Sequence, residues 1–305
     1  MTKQKIVIIV GPTASGKTSL GVLLAKNFDG EIISADSMQI YKGMDIGTAK
    51  VTADETCGIP HYLVDIVKPT EPFNVSNWKA LAEEKIDEIT ERGKLPIIVG
   101  GTGLYVNALI NNFSFGQVET DPASRLRYEE YLSSYGVDAL YQLLVERDAA
   151  LAQTVDKNRT KVVIRYLEII DAGGDPKVTE YEHNYDYLLI GLDCNRGELY
   201  EKINARVDEM MSLGLVKEVR NLISTYGKDE LIQSGLAIGY KEIISYLNGE
   251  ISEERAVELI KQHSRNYAKR QITYLKKLPN IIWVDRSDKE NIIKLVGNFL
   301  EKNYE

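Results

Sequence analysis

The chain has 305 residues, 44% of them apolar and 27% charged, with a net charge of −8. This length exceeds what one hydrophobic core comfortably supports, so a large domain with a smaller lobe is expected. The composition is that of an ordinary globular protein, and its acidic balance speaks against a nucleic-acid partner unless positive residues are segregated.

The β-branched run Ile6–Val10 predicts a strand buried on both faces. It is the longest apolar run and is far too short to span a bilayer. With Lys3 and Lys5 before it and Gly11-Pro12 ending it, it does not resemble a signal peptide. Leu20, Leu23 and Leu24 give helical spacing over residues 18–27, and Glu31–Ser34 reads as a second strand. Trp78–Glu91 is an amphipathic helix by its apolar positions, Pro96–Val99 a further buried strand, and Leu104–Ile110 a helix after the Gly100-Gly101 turn. This alternation predicts a parallel sheet flanked by helices. From Asp121-Pro122 to Asp186 helical periodicity takes over and strand signals stop. A helical insertion over residues 116–186 is therefore expected within a core of residues 1–115 and 187–305. Tyr187–Leu192 returns to strand character, followed by helices over Leu199–Leu222 and Glu253–Leu278, a short strand at Ile281–Val284 and a terminal helix. Cys57 and Cys194 lie far apart, which argues for a reducing compartment with no disulfide frame and no structural zinc.

Gly11-Pro12-Thr13-Ala14-Ser15-Gly16-Lys17-Thr18 matches GxxxxGK[ST] between a predicted strand and a predicted helix. Its glycines let backbone N–H groups wrap a phosphate, and the helix dipole adds favourable potential for an anion. Lys17 supplies a point charge to terminal phosphates and Thr18 can hold Mg2+. The fold class expected is a P-loop NTPase-like parallel sheet with a helical insertion. The motif implies a diphosphate or triphosphate with Mg2+, not a nucleotide. The strand at 96–99 ends in Gly100-Gly101-Thr102-Gly103 rather than in a metal carboxylate, although Asp193 could serve as one.

Asp36 falls just beyond the second strand, where the carboxyl ends of strands open on the ligand crevice. It is a candidate general base, and equally a helix N-cap or a residue behind the metal ligands. Lys261–Lys277 carries six Lys/Arg and no Asp or Glu, so it is either a nucleic-acid-binding helix or a solvated face. His61, His183 and His263 lack metal-ligand spacing, and His61 is expected to be structural. Trp78 and Trp283 fit core positions.

Together these segments resemble the tRNA dimethylallyltransferase (tRNA isopentenyltransferase) family over nearly the whole chain. The likeness is carried by GPTASGKT (Gly11–Thr18), ADSMQIYKGMDIGTAK (Ala35–Lys50), HYLVD (His61–Asp65) and VGGTGLYVNAL (Val99–Leu109). It continues in LYEKINARVDEMMSLGLVKEV (Leu199–Val219), AIGYKEI (Ala237–Ile243) and YAKRQIT (Tyr267–Thr273). The lack of a zinc-finger extension fits the bacterial type. Where the family usually reads Arg-Ala-Leu-Glu, this chain has Arg165-Tyr166-Leu167-Glu168.

The resemblance implies that the phosphate loop holds the pyrophosphate of dimethylallyl diphosphate, with Thr18 near Mg2+. It implies Asp36 as general base, with Ser37, Met38 and Gln39 around the target adenine. Thr102 would lie between the substrates and Arg206 would reach the pyrophosphate. Arg125 and the stretch Lys161, Val162, Val163, Ile164 and Arg165 would touch tRNA, as would Lys269 and Arg270 of the basic helix. The implied partner is a tRNA anticodon stem-loop, read through a flipped-out adenosine, and the enzyme is expected to be cytoplasmic and monomeric. The alternatives are a P-loop small-molecule kinase, prenyl transfer to free adenine nucleotide, and a nucleotide-switch binding protein, the last lacking an NKxD motif.

Overall fold

The computed structural model describes residues 3–113, 121–176, 184–231 and 233–302. Strand β1 (Gln4–Val10) contains the β-branched run, and Ile6 through Val10 are fully buried. A strand covered on both faces has no reason to alternate, so apolar side chains fill both sides. Helix α1 (Lys17–Asn27), β2 (Gly30–Ser34), α2 (Ala53–Thr56), β3 (His61–Tyr62), α3 (Val75–Glu91), β4 (Leu95–Gly100) and α4 (Gly103–Ile110) follow. Next come α5 (Pro122–Arg147), α6 (Ala149–Ala152) and α7 (Thr160–Asp171). The chain then runs through β5 (Tyr185–Asp193), α8 (Arg196–Leu213), α9 (Leu215–Tyr226), α10 (Tyr240–Leu247), α11 (Glu253–Leu275), β6 (Ile282–Asp285) and α12 (Lys289–Glu301).

The six strands form one all-parallel sheet in the order β3-β2-β4-β1-β5-β6. Ile6, Ile8 and Val10 face a core with Trp78, Ile86 and Tyr105, while Val7 and Ile9 face Leu20, Leu24, Ile292 and Val296. Helices thus cover both faces, as the alternating pattern requires. Because every strand points the same way, the loops after β1, β2, β4, β5 and β6 emerge on one edge. Trp78 fastens α3 to that edge: its Nε1 donates to the Ser34 carbonyl at 2.9 Å and its ring stacks on Tyr105 with centroids 4.8 Å apart.

The chain divides into two compact units, Met1–Ile110 with His183–Glu305, and Asn111–Glu182. In the second, α5 and α7 pack through Leu140, Leu144, Val163, Ile164 and Leu167. Helix α5 joins two periodic stretches that look separate in the sequence, with a non-helical Gly136 (φ 83°, ψ 178°) between them. One expectation is corrected. The periodicity from Leu199 to Leu222 reads as a single helix, but Gly214 adopts φ 99°, caps α8 in the left-handed conformation and restarts the chain as α9. No helix among the described residues is long and apolar enough to cross a membrane.

Candidate active site

The phosphate loop leaves β1 and turns through Ala14 (φ 61°) and Gly16 (φ 89°) before α1 begins at Lys17. Left-handed backbone at Gly16 carries no Cβ penalty, and it aims successive N–H groups into one concavity. Lys17 Nζ donates to the Pro12 carbonyl at 2.7 Å. Burial is the main cause that lowers the Lys17 ammonium to about 8; Asp36 acts against the shift and Arg206 adds to it. Arg206, on α8, makes no ion pair or hydrogen bond among the described residues. A cation lowered by burial beside a second, unpaired cation is an arrangement that an anionic ligand relieves. Ser15 Oγ is buried without a hydrogen-bond partner in the same loop.

Asp36 lies just beyond β2, and its Oδ1 accepts from the Met38 and Gln39 amides at 2.9 and 3.3 Å. No helix begins here, so Asp36 is not the helix N-cap that its position allowed; its side chain closes a turn instead. That turn fixes the carboxylate while Oδ2 makes no hydrogen bond among the described residues. Thr102 follows β4, the strand between β2 and β1. Its hydroxyl accepts from the Ser37 amide at 3.1 Å, and its own amide donates to the Ala35 carbonyl at 3.2 Å. Close approach here requires the glycines of the Gly-Gly-Thr-Gly turn. A Cβ on Gly100 would stand 2.1 Å from the Ala35 carbonyl oxygen, and one on Gly101 2.2 Å from Gln271 Nε2. The loops after β1, β2 and β4 therefore bring Lys17, Asp36 and Thr102 into one site.

Met38 packs against the core, and Gln39 Nε2 donates to the Thr48 and Ala49 carbonyls at 3.3 Å each. Behind them, the largely buried Lys50 ammonium donates to the Tyr41 carbonyl and contacts Asp45 and Asp65. The Glu218 carboxylate of α9 accepts from the amides of Asp45, Ile46 and Gly47 and from the Tyr240 hydroxyl. Most of the Ala35–Lys50 block is thus the scaffold of a loop whose working end is Asp36.

Two residues on α11 were missed by sequence reasoning. Gln271, 7% exposed, accepts from the Thr13 amide at 2.9 Å and donates to the Gly101 carbonyl at 3.0 Å, joining the phosphate loop to the Thr102 turn. The Tyr267 hydroxyl lies near Thr102 and Gln271, and burial first, then the nearby Asp36 charge, push it up to about 12. A polar residue on the buried stripe Ala268, Gln271, Leu275 is the signal that could have revealed the first.

The basic helix divides its charges. Lys261 pairs with Asp208 at 2.5 Å and Arg265 donates to Asn204, both on α8. Lys269 and Arg270 are exposed, without a carboxylate partner among the described residues, and the Arg270 guanidinium lies 5.8 Å from the Tyr267 ring centre. In the helical unit, Arg125 and Arg165 both donate to the buried Glu168, at 2.9 and 3.2 Å. Lys161 is exposed, Val162 is half-buried, and Val163 and Ile164 are buried in the core of that unit, so their side chains are not available to an RNA. His61 Nδ1 is paired with the Ile59 carbonyl at 2.8 Å, burial lowers its ring, and it serves structure. His263 Nδ1 lies 2.6 Å from the buried Glu242, and His183 lies outside the described residues. Among the described residues no cluster of three or more His, Cys, Asp or Glu could hold a metal. A divalent ion here would rest on the Thr18 hydroxyl, which has no hydrogen-bond partner among the described residues, and on ligand oxygens; that donor set suits Mg2+.

Fold and site together define a protein of the P-loop class in which a phosphate cradle after β1 and a fixed carboxylate after β2 flank the end of the intervening strand β4. The profile of the IPP transferase family matches residues 39–278, and that of isopentenyl transferases matches residues 4–67. The chain belongs to the IPP transferase family. It is 46% identical to a tRNA dimethylallyltransferase of Halalkalibacterium halodurans, over 94% of this chain and 92% of that one. A tRNA dimethylallyltransferase of an Exiguobacterium strain is 46% identical over 99% of each chain. The full-length tRNA isopentenylpyrophosphate transferase structure from Bacillus halodurans superposes with a TM-score of 0.75 at 44% identity, covering 98% of this chain and 97% of that one. A eukaryotic dimethylallyltransferase acting on tRNA gives 0.83 at 28% identity, covering 97% and 79%. These likenesses bear out the resemblance and the fold class expected from the sequence, and they weigh against a small-molecule kinase.

Proposed function

We propose that this chain transfers a dimethylallyl group from dimethylallyl diphosphate to the N6 amine of the adenosine 3′ of the anticodon in tRNA, releasing pyrophosphate. The observation that carries the reading is the placement of Lys17 after β1 and Asp36 after β2 on one edge of the sheet, with Thr102 after the intervening β4 and hydrogen-bonded to the Ser37 amide. A base and a leaving-group site so placed bracket one reacting carbon.

The exocyclic amine of adenine is a weak nucleophile because its lone pair is delocalised into the ring. Asp36, held by two amides through Oδ1, has Oδ2 free to accept the amine proton as the N–C bond forms. Such general base catalysis is worth about 10²–10⁴ in rate. As the C1–O bond breaks, the electron pair leaves with pyrophosphate, and Lys17, Arg206 and the loop amides stabilise its charge. Mg2+ held by Thr18 and the phosphate oxygens would add Lewis-acid stabilisation there. Thr102, hydrogen-bonded to the Ser37 amide and near Tyr267, sits where the two substrates meet and orders that boundary. The adenine must leave the anticodon-loop stack to reach Asp36. Lys269 and Arg270, together with Lys161 of the helical unit, would hold the RNA backbone. The enzyme acts as a monomer in the cytoplasm in this reading.

Incubation with labelled dimethylallyl diphosphate, Mg2+ and tRNA should move label into tRNA and release pyrophosphate. An anticodon loop with guanosine at the acceptor position should accept none. Steady ATP hydrolysis stimulated by a small hydroxylated acceptor, without prenyl transfer, would overturn the reading.

A further inference from the structure

Arg286 lies just past β6, outside every segment that the sequence singles out and outside the residues matched by the family profiles. Its guanidinium is packed on the phosphate loop. A Cβ built on Gly16 would stand 2.9 Å from Arg286 Nη1 and 3.5 Å from its Cδ. Gly16 is the residue that caps α1, so the guanidinium borders the amides that open this helix. Arg286 is exposed and makes no ion pair or hydrogen bond among the described residues. The neighbouring Asp285 carboxylate is occupied instead by the Ser287 amide and hydroxyl, at 2.8 and 2.7 Å. Lys17 and Arg286 both act on the Cys194 thiol at the end of β5, although burial dominates and raises it.

Strand order gives this cation a direction. Asp36 and Thr102 follow β2 and β4 on one side of β1, whereas Arg286 follows β6 on the other. A diphosphate lying in the loop with its reacting carbon toward Asp36 therefore has its far phosphate toward β5 and β6. Ser15 Oγ, buried without a partner, adds a hydroxyl to the same loop. We infer that Arg286 binds the terminal phosphate of the diphosphate and of released pyrophosphate, and so makes the site select a diphosphate over a monophosphate. This role presupposes the transfer reaction proposed above. A guanidinium suits it because its fork meets two phosphate oxygens at once.

The test is calorimetric titration of the whole chain, with Mg2+, using inorganic pyrophosphate and then orthophosphate. Arg286→Gln should weaken pyrophosphate about tenfold, the scale of one charge-assisted hydrogen bond removed, and leave orthophosphate within about twofold. Arg286→Lys, which keeps the charge without the fork, should fall between. KM for dimethylallyl diphosphate should rise in parallel while KM for tRNA stays constant. An exposed side chain is replaced, so the thermal midpoint should not move. Unchanged pyrophosphate affinity in Arg286→Gln overturns the assignment, and equal losses for both anions overturn the terminal-phosphate placement. Failure of the unaltered chain to bind pyrophosphate would overturn the transferase reading as well.

Discussion

Among the described residues Gln271 is the side chain whose hydrogen bonds tie the phosphate loop to the Thr102 turn, and Gln271→Leu removes both ties without changing volume much. The Thr13 amide loses its acceptor and the Gly101 carbonyl its donor, in a place where the side chain is 7% exposed. A buried group left unsatisfied costs about 1–3 kcal/mol, and leucine recovers part of this through apolar burial, so a net loss of about 2–3 kcal/mol is expected. For a chain of this size that lowers Tm by roughly 3–5 °C. The same change removes the anchor that holds the phosphate loop at Thr13, and the loosened loop should bind inorganic pyrophosphate about tenfold more weakly. Gln271→Glu separates the two ties. It still accepts from Thr13 but sets a carboxylate oxygen against the Gly101 carbonyl, and it should be at least as damaging. Differential scanning fluorimetry and calorimetric titration read the two effects. A Gln271→Leu protein with unaltered Tm and unaltered pyrophosphate binding would refute the reasoning.

Asp36→Asn keeps an oxygen for the Met38 and Gln39 amides, so the loop should stay folded while kcat drops by about 10² or more, with pyrophosphate affinity nearly intact. Turnover above half of normal would remove Asp36 as the base. Lys17 titrates near 8, so kcat/KM for the diphosphate should hold steady below that pH and decline by about tenfold per unit above it as the cation is neutralised. The stability sign is opposite. With the folded value below the unfolded 10.5, the unfolded chain binds more protons between the two, so ligand-free stability should rise with pH from about 8 toward 10.5. A flat rate profile to pH 9.5 would contradict the burial of Lys17. Neutralising Lys269 and Arg270 together should reduce the salt slope of tRNA binding by about one for each RNA phosphate no longer neutralised, with pyrophosphate binding unchanged; an unaltered slope would return this helix to a solvated face.

The parallel sheet was legible because buried β-branched runs and amphipathic helices alternate, and the phosphate loop because its spacing is tied to the turn it makes. Asp36 stood out for its place after β2. Its bonds to the Met38 and Gln39 amides close a turn rather than cap a helix, and they leave one carboxylate oxygen without a hydrogen bond among the described residues. What escaped notice has a common cause. Gln271, Tyr267 and Arg286 are distant in sequence from the loops they touch; only Gln271, a polar residue on a buried helical stripe, carries a local sign, and even that does not name its partners. The break at Gly214 escaped because apolar spacing continues in phase on both sides of it. Arg125 and Arg165 looked like free positive charges; only the fold sets them on Glu168.

The centre of the sheet is β1, yet its two partners come from far along the chain: Val7 pairs with Ile97 on one side and with Leu188 on the other. On a ribosome adding about 5–20 residues per second, the first strand is made on the order of ten to forty seconds before its second partner exists. During that interval Ile6–Val10 is a newborn apolar segment with an open edge, and the phosphate loop behind it has no wall to lean on. The helical unit between β4 and β5 has its own core and lengthens the wait. Such a chain is a natural client for a holding chaperone, and expression at low temperature should raise its soluble yield by slowing the association of waiting strands.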